Sequence, residues 1–136
     1  FETGIVSNKI IDKINIRLAN KLAMEKALKK LFSKINFNCY KEILVDGNDN
    51  YEFKNINIKT KFIIKGDDKI DEIKAASIIA KVTRDNLMCK YSFVYSNFSF
   101  NLHKGYGTKK HQEELKRFGI TSIHRKSFKP VKKILI

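Results

Sequence analysis

An α/β fold is predicted by two short apolar runs and by the helical periodicity of the segments around them. Ile43-Leu44-Val45 stops at Asp46-Gly47, and the run over residues 59–65 stops at Gly66-Asp67. Short apolar runs that end in a turn dipeptide suit buried strands. On either side, apolar residues recur at helical spacing over stretches too long for a strand. Each predicted strand therefore ends in a carboxylate beside a glycine, and that recurrence is the chemical clue.

Residues 1–6 are β-leaning and bounded by Ser7, which predicts a strand end. Ser7 can cap a helical turn over residues 7–12, and Asn15 a longer helix running to about Phe32. In that helix Leu18, Leu22, Ala23, Ala27, Leu28 and Leu31 form the apolar stripe, while Lys21, Lys29 and Lys30 face outward. Residues 35–40 read as a connector, Glu42–Asp46 as a buried strand, residues 48–57 as polar loop and residues 59–65 as the next strand. A second helix is expected from Asp71 or Glu72 to about Tyr91, with Ile73, Ala76, Ala80, Thr83 and Leu87 on one stripe. Its small residues Ala75, Ala76, Ser77 and Ala80 let the backbone approach a sheet or a substrate closely. Residues 93–103 are aromatic-rich and irregular. Thr108 can cap a helix to Phe118, with Lys116 and Arg117 in its last turn and Gly119 as its stop. The tail, residues 120–136, is basic near its end. No repeat, linker or internal boundary is evident, so one domain is expected.

Composition narrows the partner class without naming a chemistry. The chain has 136 residues, 43% of them hydrophobic, with 28 Lys and Arg against 14 Asp and Glu, for a net charge of +14. That balance favours a polyanion, since each neutralised phosphate releases counterions. It also reflects heavy use of Lys, Asn and Ile, which raises charge without any function. No apolar run approaches the ~20 residues of a membrane helix, and Phe1-Glu2-Thr3-Gly4 lacks a secretory start. The chain does not begin with Met, as expected of a processed chain or a fragment. Cys39 and Cys89 stand too far apart for a local metal knuckle and read as reduced packing thiols. His103, His111 and His124 are scattered and lack paired cysteines, which argues against a zinc site.

Asp46 and Asp67 are the residues on which chemistry would rest. Two-metal phosphodiester hydrolysis needs carboxylates converging at one spot to hold divalent ions, and side chains just past adjacent strand ends can be aimed into one crevice. In so basic a chain, a hard cation such as Mg²⁺ or Mn²⁺ is the natural partner of such a pair. The plainer reading is that both are turn formers, since Asp-Gly and Gly-Asp are ordinary turn dipeptides.

The order of motifs bears on the choice. Leu44-Val45-Asp46-Gly47-Asn48, Lys65-Gly66-Asp67, Ala75-Ala76-Ser77-Ile78-Ile79-Ala80-Lys81-Val82-Thr83-Arg84-Asp85, His103-Lys104-Gly105-Tyr106-Gly107-Thr108 and His124-Arg125-Lys126-Ser127-Phe128 succeed one another. Gly4-Ile5-Val6-Ser7 and Ile11-Asp12-Lys13-Ile14-Asn15-Ile16, followed by Ala23-Met24, precede them. This series resembles the bacterial-type ribonuclease HII family over essentially the whole chain. The resemblance implies an RNase H-like α/β fold with a mixed central sheet flanked by helices. It implies an endonuclease that hydrolyses the RNA strand of RNA–DNA hybrids, or of ribonucleotide-containing duplex DNA, 5′ to a ribonucleotide by the two-metal route. Asp46 and Asp67 would be the catalytic metal ligands, for Mn²⁺ or Mg²⁺. Tyr106 would stack on the sugar beside the RNA–DNA junction, with Gly105 allowing close approach to the groove and the 2′-hydroxyl. Lys104, with Lys109 and Lys110, would contact phosphate, and Asn15 and Asn20 would bind substrate; Asn20 stands where the family usually has Thr, and either residue can hydrogen-bond phosphate. Ser77, Lys81 and Arg84 would support the site, and Asp85, one residue after Arg84, would form an ion pair or packing bond rather than bind metal. A monomeric cytoplasmic protein is implied.

One family element has no counterpart. The family's N-terminal strand carries an Asp-Glu pair in an Asp-Glu-Ala-Gly-Arg-Gly-like motif, and no segment here matches it. The expectation is an N-terminally incomplete member that carries half of the carboxylate set. The rival readings are a catalytically incomplete remnant binding hybrid or duplex through its basic face, and a small basic RNA-binding structural protein.

Overall fold

The computed structural model describes residues 1–36 and 39–135. Its elements run α1 (Asn8–Phe32), β1 (Glu42–Asp46), β2 (Lys59–Ile63), α2 (Gly66–Lys69), α3 (Asp71–Val94), α4 (Phe100–His103), α5 (Lys109–Phe118) and α6 (Lys129–Lys132). Helices and a parallel strand pair make the chain α/β, as the apolar runs predict. It divides into two compact units, Phe1–Ile5 with Asn20–Lys81, and Val6–Ala19 with Val82–Ile136.

In the first unit β1 and β2 pair in parallel, Glu42 opposite Lys59 through Asp46 opposite Ile63. Val45 is buried, as is Phe53 in the loop read as polar. Tyr51 explains the difference: its ring meets Phe53 and Phe62 edge-on, with centroids 5.5 and 4.9 Å apart. The loop thus carries an aromatic cover for the strand pair, which its polar neighbours concealed. Buried Glu25 on α1 ties that loop down by accepting from the Lys54 backbone N–H at 3.1 Å.

Two expectations fail here. Residues 1–6 are not a strand: the carbonyls of Thr3 and Ile5 accept from the side chains of Lys30 and Lys26 instead of from a neighbouring strand. The small-residue stripe of α3 is not packed on the sheet either, which leaves close approach to a substrate as the expectation for it. Ile73 is buried, but Ala75, Ala76, Ser77 and Ala80 are exposed. A pair of five-residue strands spans roughly 17 Å along its length and about 5 Å across, too little to cover a helix of this length. Cys39 is likewise exposed rather than packed. The connector expected at residues 35–40 lies partly outside the described residues.

In the second unit Phe98, Phe100, Leu115 and Val131 form the core, with Met88, Tyr91, Tyr95, Ile123 and Phe128 against it. The caps fall where the sequence puts them. Thr108 Oγ1 accepts from the His111 N–H at 3.3 Å to start α5, and Gly119 ends it at φ 74°. Asn15 interrupts α1 with φ 67° and ψ 168°, and its Oδ1 accepts from the Leu18 N–H at 3.1 Å. That backbone region is almost reserved for glycine, so Asn15 combines a strained turn with a cap. Asn15→Ala is therefore expected to cost about 2 kcal/mol, from cap and strain together. Asn15→Gly should stay within about 1 kcal/mol, because it releases the strain while losing the cap. Urea denaturation midpoints of the two variants check this; equal losses would show that the torsion carries no strain.

Candidate active site

Asp46 closes β1 and is exposed; its Oδ1 accepts from the Gly66 backbone N–H at 2.8 Å. Gly66 opens α2 directly after the β2 turn, so Asp67 sits in the first turn of that helix, one residue from the bond that anchors Asp46. Parallel pairing in register brings both strand ends to the same edge, and this bond closes them together. Gly66 is buried over Ile73, whose Cδ1 would lie 2.7 Å from an added Cβ, so α3 approaches the strand ends as closely as packing allows.

Asp67 and Asp68 line an open depression of about 250 Å³ with Lys74, Ser77, Ile78 and Lys81. Two predicted supporting residues, Ser77 and Lys81, thus stand beside a predicted carboxylate. Lys74 and Asp68 join them without having been singled out; their places one helical turn before Ile78 and next to Asp67 were the available signal. The donor chemistry suits a hard divalent cation, because both groups are carboxylates and the second Asp46 oxygen is left for a further partner. The set is nevertheless incomplete: among the described residues no three His, Cys, Asp or Glu side chains gather as a metal group.

Asn20 is exposed in this same unit. The remaining predicted site residues belong to the second. Tyr106 is 54% exposed, with the Arg84 guanidinium 4.9 Å from its ring centroid. Gly105 has φ 78°, and Lys104 before it has φ 50°, so two successive left-handed residues lift Tyr106 out of the chain. The Lys104 ammonium folds back to donate to the Asn101 carbonyl at 2.7 Å and contacts Cys89 Sγ. Arg84 Nη1 lies 3.9 Å from Asp85 Oδ1, a loose ion pair. Asp85 Oδ1 is buried and has no hydrogen-bond partner among the described residues.

Asn15 lines an open groove of about 750 Å³ with Asp12, Lys13, Arg125, Ser127 and Lys129. Asp12 is a residue that sequence reasoning passed over. Its carboxylate accepts from the Lys126 and Ser127 backbone N–H groups, both at 2.9 Å, and from Ser127 Oγ at 2.6 Å. Burial opposes its ionisation, but these bonds outweigh burial and hold the carboxyl below its usual range. Burial, together with Arg84 nearby, lowers Arg125 below the ordinary guanidinium value.

The three histidines, read as scattered, come together inside the second unit, and all six ring nitrogens are hydrogen-bonded. His103 and His111 stack at 4.2 Å and 10°. Face-to-face rings direct the His103 and His111 nitrogens outward to separate partners. Burial pushes the His111 imidazole down, and burial with His111 beside it brings His124 to about 4. The unfolded chain therefore takes up protons at a pH where the native state does not. Stability is complete above about pH 6.5 and is lost as pH falls from there toward 4. For His124 the loss should be about 1–3 kcal/mol. Urea unfolding at pH 7.5, 6 and 5 measures it, and a flat profile would contradict neutral buried rings.

Charge divides unevenly between the units. The second holds 15 Lys and Arg against 4 Asp and Glu, the first 13 against 10. The carboxylates that suit a cation are in the nearly balanced unit; the exposed tyrosine and most of the excess charge are in the other. Among the described residues no helix is long and apolar enough to cross a membrane.

Comparison with known proteins gives a consistent result. The family model described as Ribonuclease HII matches residues 2–131. Relatives named Ribonuclease HII include one from Pelagibacter ubique, 46% identical over 132 residues, covering 97% of this chain and 67% of the relative. One from Mycoplasma mycoides is 46% identical over 134 residues, covering 98% of this chain and 61% of the relative. One from Borrelia hermsii is 50% identical over 124 residues, covering 91% and 65%. The chain thus spans about two thirds of the length of the curated relatives it matches.

Proposed function

The chain belongs to the ribonuclease HII family, and from that premise we propose that it serves an endonuclease cutting the RNA strand of RNA–DNA hybrids 5′ to a ribonucleotide. The carrying observation is the Gly66 N–H bond to Asp46, which ties the end of β1 to the residue before Asp67. In this reading Asp46 and Asp67 hold a divalent cation, Mg²⁺ or Mn²⁺, which when bound supplies an activated water and neutralises charge at the phosphate. Ser77 and Lys81 flank Asp67, where Lys81 offers a cation to phosphate. The second unit grips the duplex: its excess of basic residues attracts phosphate, and Tyr106 presents an exposed ring to the sugar, with Arg84 against its face. Asn15, Asn20, Gly105 and Lys104 are assigned to the substrate path. The protein acts as a cytoplasmic monomer.

A second reading is favoured by the incomplete ligand set among the described residues. There the chain binds hybrid or duplex through its basic face without cutting it.

One assay decides. The 136-residue chain, alone and joined to a family N-terminal segment carrying the Asp-Glu motif, is incubated with Mn²⁺ and a duplex containing one ribonucleotide. Cleavage is expected only with the segment present. Binding should weaken with salt, log Kobs falling against log salt with a slope of roughly −3 or steeper. Salt-dependent binding without cleavage in either form would establish the second reading. Equal affinity for duplexes with and without ribonucleotides would point to a plain basic binder.

A further inference from the structure

The hydrogen bonds among the three histidines determine where each ring proton sits. The Thr121 backbone N–H donates to His124 Nδ1 at 2.9 Å, so the His124 proton is on Nε2. That N–H donates to His111 Nε2 at 3.1 Å, which leaves the His111 proton on Nδ1. His111 Nδ1–H then donates to the Tyr106 carbonyl at 2.8 Å. A second branch runs beside it. The Gly105 N–H donates to His103 Nδ1 at 3.1 Å, and His103 Nε2–H donates to Glu114 Oε2 at 2.8 Å. Glu114 is held in turn by the Ser99 N–H, 3.1 Å from both its oxygens. Each proton has one place, because a backbone N–H only donates and a carbonyl only accepts.

Both branches end on one loop. Tyr106 donates its N–H to the His103 carbonyl and receives His111 and Thr108 on its own carbonyl, while Gly105 is tied to His103. The left-handed torsions of Lys104 and Gly105 persist only where surroundings overdetermine them. An apolar core would fill this space without burying imidazoles; the distinctive result of the polar network is a fixed backbone on both sides of an exposed ring.

We propose that His111 is a positioning residue for Tyr106, with His124 setting the tautomer that lets it donate to the Tyr106 carbonyl and the His103–Glu114 pair holding the Gly105 N–H beside it. The loop is thereby pre-organised to offer Tyr106 to the sugar–phosphate backbone of a duplex, so less ordering is left to occur on binding. The proposal rests on the reading of Tyr106 as facing nucleic acid.

Nitrogen-15 spectra of the full chain test the network directly: His111 should carry its proton on Nδ1, and His103 and His124 on Nε2. Any other pattern overturns it. Hybrid affinity, read by fluorescence anisotropy, tests the positioning role. His111→Phe keeps the stack and loses the donor, and should weaken binding by about tenfold. His111→Asn offers an amide donor near Nδ1 and should restore affinity to within about threefold. In a Tyr106→Ala background His111→Phe should weaken binding no further, although its loss of thermal stability persists. Additive effects, or equal losses for Phe and Asn, reduce His111 to a structural residue and overturn the proposal. If His111→Phe does not fold, His124→Asn replaces it: its Oδ1 still accepts from Thr121 while the donor to His111 is gone. The same dependence on Tyr106 is expected. Unchanged affinity in Tyr106→Ala alone removes the nucleic-acid reading of that ring, and the positioning role with it; a wrong tautomer overturns the network alone.

Discussion

Asp46→Asn in the chain joined to a family N-terminal segment is expected to lower hybrid cleavage by about 10³-fold or more, with hybrid affinity retained or slightly raised. Asparagine has the shape of aspartate, and its Oδ1 can still accept from the Gly66 N–H at 2.8 Å, so the strand ends stay joined. What disappears is the charge. A carboxylate bound to a divalent cation contributes several kcal/mol to stabilising charge at a reacting phosphate, and each 1.4 kcal/mol or so is about tenfold in rate. Losing one anion beside a polyanion also relieves repulsion, which is why affinity should not fall. Cleavage of an end-labelled strand and anisotropy on the same duplex separate the two quantities. Activity surviving Asp46→Asn would remove Asp46 from the metal set. A parallel fall in affinity would mean that the residue shapes the binding surface instead.

Phe100→Ala is expected to destabilise the second unit by about 3–5 kcal/mol. Phe100 is 1% exposed and lies parallel to Phe98 with ring centroids 5.2 Å apart. It also walls the histidine cluster, with His103 at 5.4 Å, His124 at 5.7 Å and His111 at 5.8 Å. Truncation opens a cavity and admits water to rings that depend on being dry, so the loss combines packing with weakened hydrogen bonds. A typical domain holds about 5–15 kcal/mol in total, so the variant should be largely unfolded at modest urea. Phe93 provides the control. It is 86% exposed, and Phe93→Ala should fall within about 0.5 kcal/mol of the parent. Similar midpoints for the two variants would show that the core lies elsewhere.

Much of the fold was legible because its signals are local. β1 spans Glu42–Asp46, the predicted residues, because an apolar run bounded by Asp-Gly admits few alternatives. The kink at Asn15 and the start of α5 at Thr108 were legible for the same reason: a side chain that caps a helix acts within three residues of itself. β2 ended sooner than expected, at Ile63, since Gly66 starts a helical turn. Residues 1–6 were misread because β propensity reports fit to a pleated neighbour and is not a backbone preference. Here lysine side chains took the carbonyls that a neighbouring strand would have paired.

The candidate site divides along the same line. Residue types and order alone determined the family, the end of β1 at Asp46 and the basic character of the chain, and they singled out Asp67 and the Gly-Tyr-Gly loop. These follow from composition and short-range spacing, which a sequence displays directly. Tertiary structure decided three things that no spacing contains. It joined Asp46 to the turn before Asp67 through a backbone N–H twenty residues away, turned the Lys104 ammonium back onto its own helix, and gathered His103, His111 and His124 into one bonded stack. The histidine cluster depends on hydrogen bonds that become worthwhile only once water is excluded, whereas the Asp46 and Lys104 bonds lie nearer the surface and depend on the groups that folding brings within reach.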